Sequence, residues 1–256
     1  MKGPVIESKS LRGFERLPPA QLKFYEEVLD AATHTGEKFA LGGAFAWAAY
    51  SGYLRNTKDI DLYVPESKKE IFIAAVKSVG AVDYYDTLAY DRGWIFRSTK
   101  NEYIADLIWA MANYVRPIDD DYFRGDTMMT LLGREHVVIP AEELLMNKLY
   151  IMQRSRCDWF DVFNVLYGLE ETLDFDRFIY KMGENKALLA SALGVFCWLC
   201  PARTKLFPKS IWQMLGIREP KRDGPDIDLT RVRYLDSRPW FIPTLGPDEH
   251  PFSDAH

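Results

Sequence analysis

The stretch LGGAFAWAAYSGYLRNTKDID, residues 41–61, decides the fold. Its apolar start reads as the end of a short buried strand, KFALGG, that stops at Gly42 and Gly43. AFAWAAYS then reads as a helix, closed by Gly52. After a basic turn, DIDLYV reads as a second strand, ended by Pro65. Strand side chains alternate, so Asp59 and Asp61 share one face, about 6.5–7 Å apart along the backbone, while Ile60 and Leu62 enter the core. Two neighbouring carboxylates repel unless a cation sits between them. Hard oxygen ligands at this spacing suit Mg²⁺ or Mn²⁺, with substrate phosphates completing the coordination. Two carboxylate-bridged ions are one solution for in-line phosphoryl or nucleotidyl transfer. The glycines lack Cβ atoms, so backbone N–H groups there can approach a phosphate, and the helix from Ala44 adds the positive end of its dipole. A nucleoside triphosphate with Mg²⁺ fits both elements.

Outward from this stretch the pattern stays α/β. Residues 1–19 read as an irregular arm, and Pro18–Pro19 precede a helix, QLKFYEEVLDAATH. SKKEIFIAAVKSVG has helical period, with Gly80 at its C-terminus. GWIFRST and EYIADLIWAM form a predicted antiparallel hairpin turning around Thr99–Asn101, and MTLLG and EHVVIP a further strand pair. The expected catalytic domain is residues 1–135, a mixed sheet flanked by helices. A helical lobe follows over 136–200, built on AEELLMNKLYIMQ, CDWFDVFNVLYGL and FDRFIYKMGENKALLASALGVFCWLC. Residues 201–256 are a proline-rich, charged tail, expected to wrap the body.

A third carboxylate completes sites of this kind. Asp106 stands in YIADLIW, a strongly apolar strand where a lone charge is costly without a partner, and metal would supply one. Glu102 has the same strand parity but lies at the turn, where a solvated residue is expected.

The whole-chain balance sets outer limits. The chain has 256 residues, 48% of them hydrophobic, and a net charge of −5. That is enough for one large domain or two modest ones, and the acidic balance argues against a nucleic-acid-binding field over the whole surface. A local basic patch, sufficient for a compact acceptor such as a tRNA end, stays compatible. Three cysteines, Cys157, Cys197 and Cys200, do not make a disulfide scaffold and fit a reducing compartment. The first residues carry no apolar leader segment, and no run reaches ~18 uncharged apolar residues, so a cytoplasmic protein without a membrane span is expected.

A glycine pair before a helix, then RNTKDIDLYV, then a carboxylate on a later strand resembles the nucleotidyltransferase superfamily of DNA polymerase β. Within it the chain is most similar to bacterial minimal and abortive-infection (AbiEii-type) nucleotidyltransferases, some of which are toxins of toxin–antitoxin pairs. The resemblance covers residues 37–110 well and reaches about 165 through IPAEELLMNKLYIMQRSRCDWFDVFNVL. It implies Mg²⁺-dependent transfer of a nucleotidyl group from ATP, GTP or CTP to an acceptor hydroxyl, with release of pyrophosphate. It further implies that Gly42 and Gly43 form the phosphate loop and that Asp59, Asp61 and Asp106 are metal ligands. Asp106 would also act as base, and Lys148 would reach the triphosphate. Many members follow the second glycine with a hydroxyl residue; here Ala44 stands there, and Ser51 or Thr57 would have to substitute. The acceptor is an RNA or tRNA end, a protein side chain or a small molecule. The rival reading is a nucleotide- or partner-binding protein on the same fold with catalysis lost, and a cognate antitoxin is a possible partner.

Other features weigh less. Arg55, Thr57 and Lys58 flank the acidic strand and suit either phosphate contact or surface charge balance. Arg154, Arg156, Asp158 and Asp161 read as a cluster at helical spacing that binds nucleotide, pins the lobe or forms surface ion pairs. A second DID, at Asp226–Asp228, lacks the upstream glycines and reads as solvated. Cys197-x-x-Cys200 lies inside an apolar helix and reads as core, and His136 as structural.

Overall fold

The computed structural model describes residues 4–169, 173–246 and 249, and the described chain divides after Pro140 into two compact units. The first unit is built on a mixed sheet. Its strands in chain order are β1 (Val5–Glu7), β2 (Ala40–Leu41), β3 (Asp59–Tyr63), β4 (Val82–Asp83), β5 (Ile95–Lys100), β6 (Tyr103–Ile108), β7 (Thr127–Leu131) and β8 (Arg134–Val138). They lie in the order β1-β7-β8-β2-β3-β6-β5-β4. β3 pairs in parallel with β6 and antiparallel with β2, and β5–β6 is the antiparallel hairpin that the sequence predicts. The strand read as KFALGG is only two residues long: Lys38 and Phe39 lie outside it, and α2 begins already at Gly43. β8 runs through residue 135, so the sheet extends past that position to Val138.

The α-helices α1 (Pro19–His34), α2 (Gly43–Ser51) and α3 (Lys69–Ser78) flank the sheet. α1 opens on Pro19, where a missing N–H costs nothing, and buries Phe24, Tyr25, Val28, Leu29 and Ala32 at helical spacing. α2 is apolar on nearly all sides and buries Ala44 through Ala48, which fits an element enclosed by its neighbours. Ile60, Leu62, Ala105 and Leu107 are fully buried on the core face of β3 and β6. The chain is thus the mixed α/β fold that its sequence predicts.

The second unit is largely helical: α4 (Ala141–Tyr150), α5 (Trp159–Gly168), α6 (Phe175–Met182), α7 (Lys186–Leu199), α8 (Lys209–Leu215) and α9 (Leu229–Val232). α4 stops at Tyr150, because Met152–Gln153 and Arg156–Cys157 form a small antiparallel ladder, β9–β10. Arg154 therefore has no helical relation to Asp158. The tail packs within this unit. Phe241 is buried and stacks on Phe163, and the Asn164 side chain donates to Trp240 O and accepts from Ile242 N. Among the described residues, no helix is long and apolar enough to cross a membrane.

Candidate metal and nucleotide site

Parallel pairing of β3 with β6 sets Asp61 directly opposite Asp106, so both side chains leave the sheet on one side. Asp59 stands on the same face two residues earlier. The result is a group of three carboxylates, Asp59, Asp61 and Asp106, each offering an oxygen within 4.8 Å of the others. Asp59 and Asp61 are half-buried, whereas Asp106 is 1% exposed. Burial pushes the Asp106 carboxyl above the usual carboxylate range; Arg97 pulls it back, and the Asp59 charge adds to the upward shift.

Each carboxylate is held by a different device. Asp106 receives the fork of Arg97, Nε to Oδ1 at 2.9 Å and Nη2 to Oδ2 at 2.5 Å. Arg97 stands opposite Asp106 in the β5–β6 ladder, so Asp61, Asp106 and Arg97 form a row across three strands. Asp59 accepts a hydrogen bond from the Thr57 hydroxyl. The Thr57 carbonyl in turn accepts from Gln21 Nε2 at 2.5 Å, and the same nitrogen lies 2.6 Å from the Tyr25 hydroxyl. Tyr25 is fully buried, and burial, with the charges of Asp59 and Asp61 adding, pushes its phenol well up. Asp61 lies against Gly43.

The glycines answer first to this packing. Gly43 has φ +48°, and a Cβ there would overlap Asp61 Oδ2. A Cβ on Gly42 would overlap the Tyr63 ring, which stacks on Tyr122 at 5.4 Å. Gly42 N donates to Asp61 O at 2.9 Å, tying the turn to β3. The N-terminus of α2 thus starts beside the Asp61 carboxylate, where its dipole favours negative charge.

The remaining predicted residues are placed as follows. The Arg55 guanidinium lies 5.8 Å from the centre of the Trp47 ring. Glu102 is exposed at the β5–β6 turn. Lys148 belongs to the second unit, on α4, where its ammonium is buried and paired with Asp158 at 2.8 Å and Asp161 at 2.6 Å. Arg156 adds a bond to Asp158 at 2.8 Å. Burial raises the Asp158 carboxyl, but Arg156 and Lys148 outweigh it and hold the group below its usual range. Asp226 pairs with Arg203, and Asp228 caps α9 by accepting from Thr230 N and Arg231 N. Asp226 is exposed, as its solvated reading expects, whereas half-buried Asp228 departs from that reading by serving as a helix cap. Burial pushes the thiols of Cys197 and Cys200 up to about 11 and about 12, as expected of core cysteines.

Sequence reasoning missed Arg97, Gln21 and Tyr25. For Arg97 a signal existed. Counting outward from the hairpin turn, where Lys100 faces Tyr103, puts residue 97 opposite residue 106. Gln21 and Tyr25 reach the site only through tertiary packing and leave no local mark.

No family model and no curated protein matches the sequence. Among solved structures, the chain is similar to the antibiotic-resistance factor ANT(2'')-Ia, at 16% identity over 72% of this chain and 96% of that one, with a TM-score of 0.45. It is similar to the lincosamide antibiotic adenylyltransferase LnuA, at 16% identity over 58% and 96%, with a TM-score of 0.42. It is also similar to an antigenic nucleotidyltransferase-like protein from Paracoccidioides brasiliensis, at 15% identity over 85% and 99%, with a TM-score of 0.44. At this level of similarity none of the three says what this chain acts on.

Proposed function

We propose that the chain is a nucleotidyltransferase that moves a nucleoside monophosphate from a nucleoside triphosphate to an acceptor hydroxyl. The observation that carries this reading is the convergence of Asp59, Asp61 and Asp106 beside a glycine-led helix N-terminus. Three hard oxygen donors within 4.8 Å of one another fit Mg²⁺ or Mn²⁺. When bound there, the ion supplies neutralisation of charge on the triphosphate.

The acceptor oxygen forms a bond to the α-phosphorus, the bond from that phosphorus to the bridging oxygen breaks, and pyrophosphate leaves. The chain's own residues serve this in three ways. Backbone N–H groups at Gly43 and the start of α2 hold phosphate oxygens, while Gly42, whose N–H is taken by Asp61 O, shapes the turn that presents them. Asp106 accepts the proton of the acceptor hydroxyl. Arg55 supplies a positive charge near the acidic strand. Thr57 serves through Asp59, to which its hydroxyl already donates. Lys148, engaged by two carboxylates, serves the fold of the second unit before any phosphate contact.

The test is pyrophosphate release from each of four nucleoside triphosphates with Mg²⁺. Pooled tRNA, a protein extract and a panel of hydroxylated small molecules, antibiotics included, are offered in turn as acceptor. Release with one pool, abolished in Asp59→Ala/Asp61→Ala, supports the reading and names the acceptor class. Silence with every pool, alongside Mg²⁺-dependent nucleotide binding, moves the chain to the nucleotide-binding reading.

A further inference from the structure

Asp59 and Asp61 are half-buried; Asp59 accepts from a hydroxyl two residues away, and Asp61 stands in the space that Gly43 leaves open. Asp106 has neither. It is 1% exposed, in an apolar strand, and both its oxygens are bonded to one side chain from the neighbouring strand. We propose that Arg97 is the positioning residue of the third carboxylate: its fork fixes the rotamer of Asp106 and so sets where the third oxygen donor of the site stands. The inference rests on the cation-binding reading of Asp59, Asp61 and Asp106 given above.

The geometry is that of a fixed support. A bidentate guanidinium–carboxylate pair defines the carboxylate plane as well as its distance, which an ammonium cannot do. The stem of Arg97 is anchored too. β4 pairs with β5 only at Val82–Thr99 and Asp83–Ser98, then turns away, so the β5 backbone at Arg97 lacks a strand partner on that side. The Tyr90 hydroxyl fills the gap: it accepts from Arg97 N at 3.1 Å and donates to Asp83 Oδ1 at 2.9 Å. Tyr90 thus holds the backbone of Arg97, and Arg97 holds Asp106. Charge points the same way. One guanidinium against three carboxylates leaves two negative charges among these four side chains, the complement of a single divalent ion; a second ion would need the anions that a triphosphate brings.

The experiment titrates Mn²⁺ alone into the full chain, reading free Mn²⁺ by electron paramagnetic resonance, and measures Tm in EDTA. The proteins are wild type, Arg97→Met, Arg97→Lys, Tyr90→Phe and Asp61→Asn. Arg97→Met is expected to lose at least tenfold in Mn²⁺ affinity. Arg97→Lys keeps the charge but not the fork; it is expected to hold its Tm in EDTA close to wild type and still bind Mn²⁺ several-fold more weakly. Tyr90→Phe should weaken binding less than either. If Arg97→Met fails to fold, Arg97→Lys carries the test. Wild-type affinity in the folded Arg97 variants overturns the proposal and leaves a purely structural ion pair. A rise in affinity overturns it as well, because the guanidinium then merely competes with the ion. Failure of the underlying reading is recognisable separately: wild type itself takes up no Mn²⁺, and Asp61→Asn changes nothing.

Discussion

At Gly43 a hydrogen stands where any other residue would carry a Cβ, and that leaves room for the Asp61 carboxylate. The Asp61 carboxylate occupies the space that a side chain at residue 43 would need, and the backbone there is left-handed. Two costs are combined at this position, and they can be separated. Gly36 has φ +72° with open space around it. Gly36→Ala is expected to cost about 1–2 kcal/mol of stability, the strain of a left-handed residue alone, and to leave Mn²⁺ binding unchanged. Gly43→Ala adds the clash with Asp61 and is expected to abolish the Mn²⁺-induced rise in Tm. A Gly43→Ala protein that retains this rise would show that Asp61 can stand elsewhere. The glycine pair was legible in the sequence as a place where something approaches the backbone. That the nearest such group is the protein's own carboxylate was not, because the approach depends on how β2 and β3 lie side by side.

At the scale of elements, the second unit shows how burial changes the worth of a charge. Lys148 is buried between Asp158 and Asp161, whereas the Arg156 side chain on the same Asp158 is 53% exposed. Lys148→Met removes the buried cation that Asp158 and Asp161 share and is expected to destabilise by about 3–5 kcal/mol. Arg156→Met removes a largely exposed contact and should cost about 1 kcal/mol or less. Urea unfolding of both variants, monitored by helix content, checks the contrast; equal effects would contradict it. His136 on β8 gives a pH test. Burial, with the Arg134 charge adding and Asp30 opposing, holds its imidazole below the ordinary value of 6.5. The folded state therefore binds fewer protons than the unfolded one below that pH, and stability falls as pH drops from about 6.5 towards the folded value. His136→Gln should flatten this part of the profile of Tm against pH, and an unchanged slope would place the acid sensitivity elsewhere. Most elements were legible because their signals are local: the proline at the start of α1, the period-2 run of β3, the hairpin turn at Asn101. The short β9–β10 ladder was not, because its two-residue strands sit in a segment whose apolar spacing continues that of α4.

Across the whole molecule, the mixed sheet and the helical second unit follow from patterns along the chain, but the contacts that finish each unit join distant residues. β1 joins the sheet edge by pairing in parallel with β7, more than a hundred residues later. Asn164 fastens the tail through bonds to Trp240 and Ile242. No local pattern announces either one. The candidate site shows the same division: Asp59 and Asp61 are neighbours in sequence, Asp106 needed the strand assignment, and Arg97 needed the register. The central claim is that this constellation transfers a nucleotidyl group. It is tested most directly by incubating the full chain with Mg²⁺, the acceptor pools and one nucleoside triphosphate at a time, labelled at the α- or at the γ-phosphate. Label passing to acceptor from the α position and not from the γ position, lost in Asp61→Asn, is the predicted result. Transfer of the γ label, or of neither label while Asp61→Asn and wild type bind Mg²⁺-nucleotide equally, would contradict it.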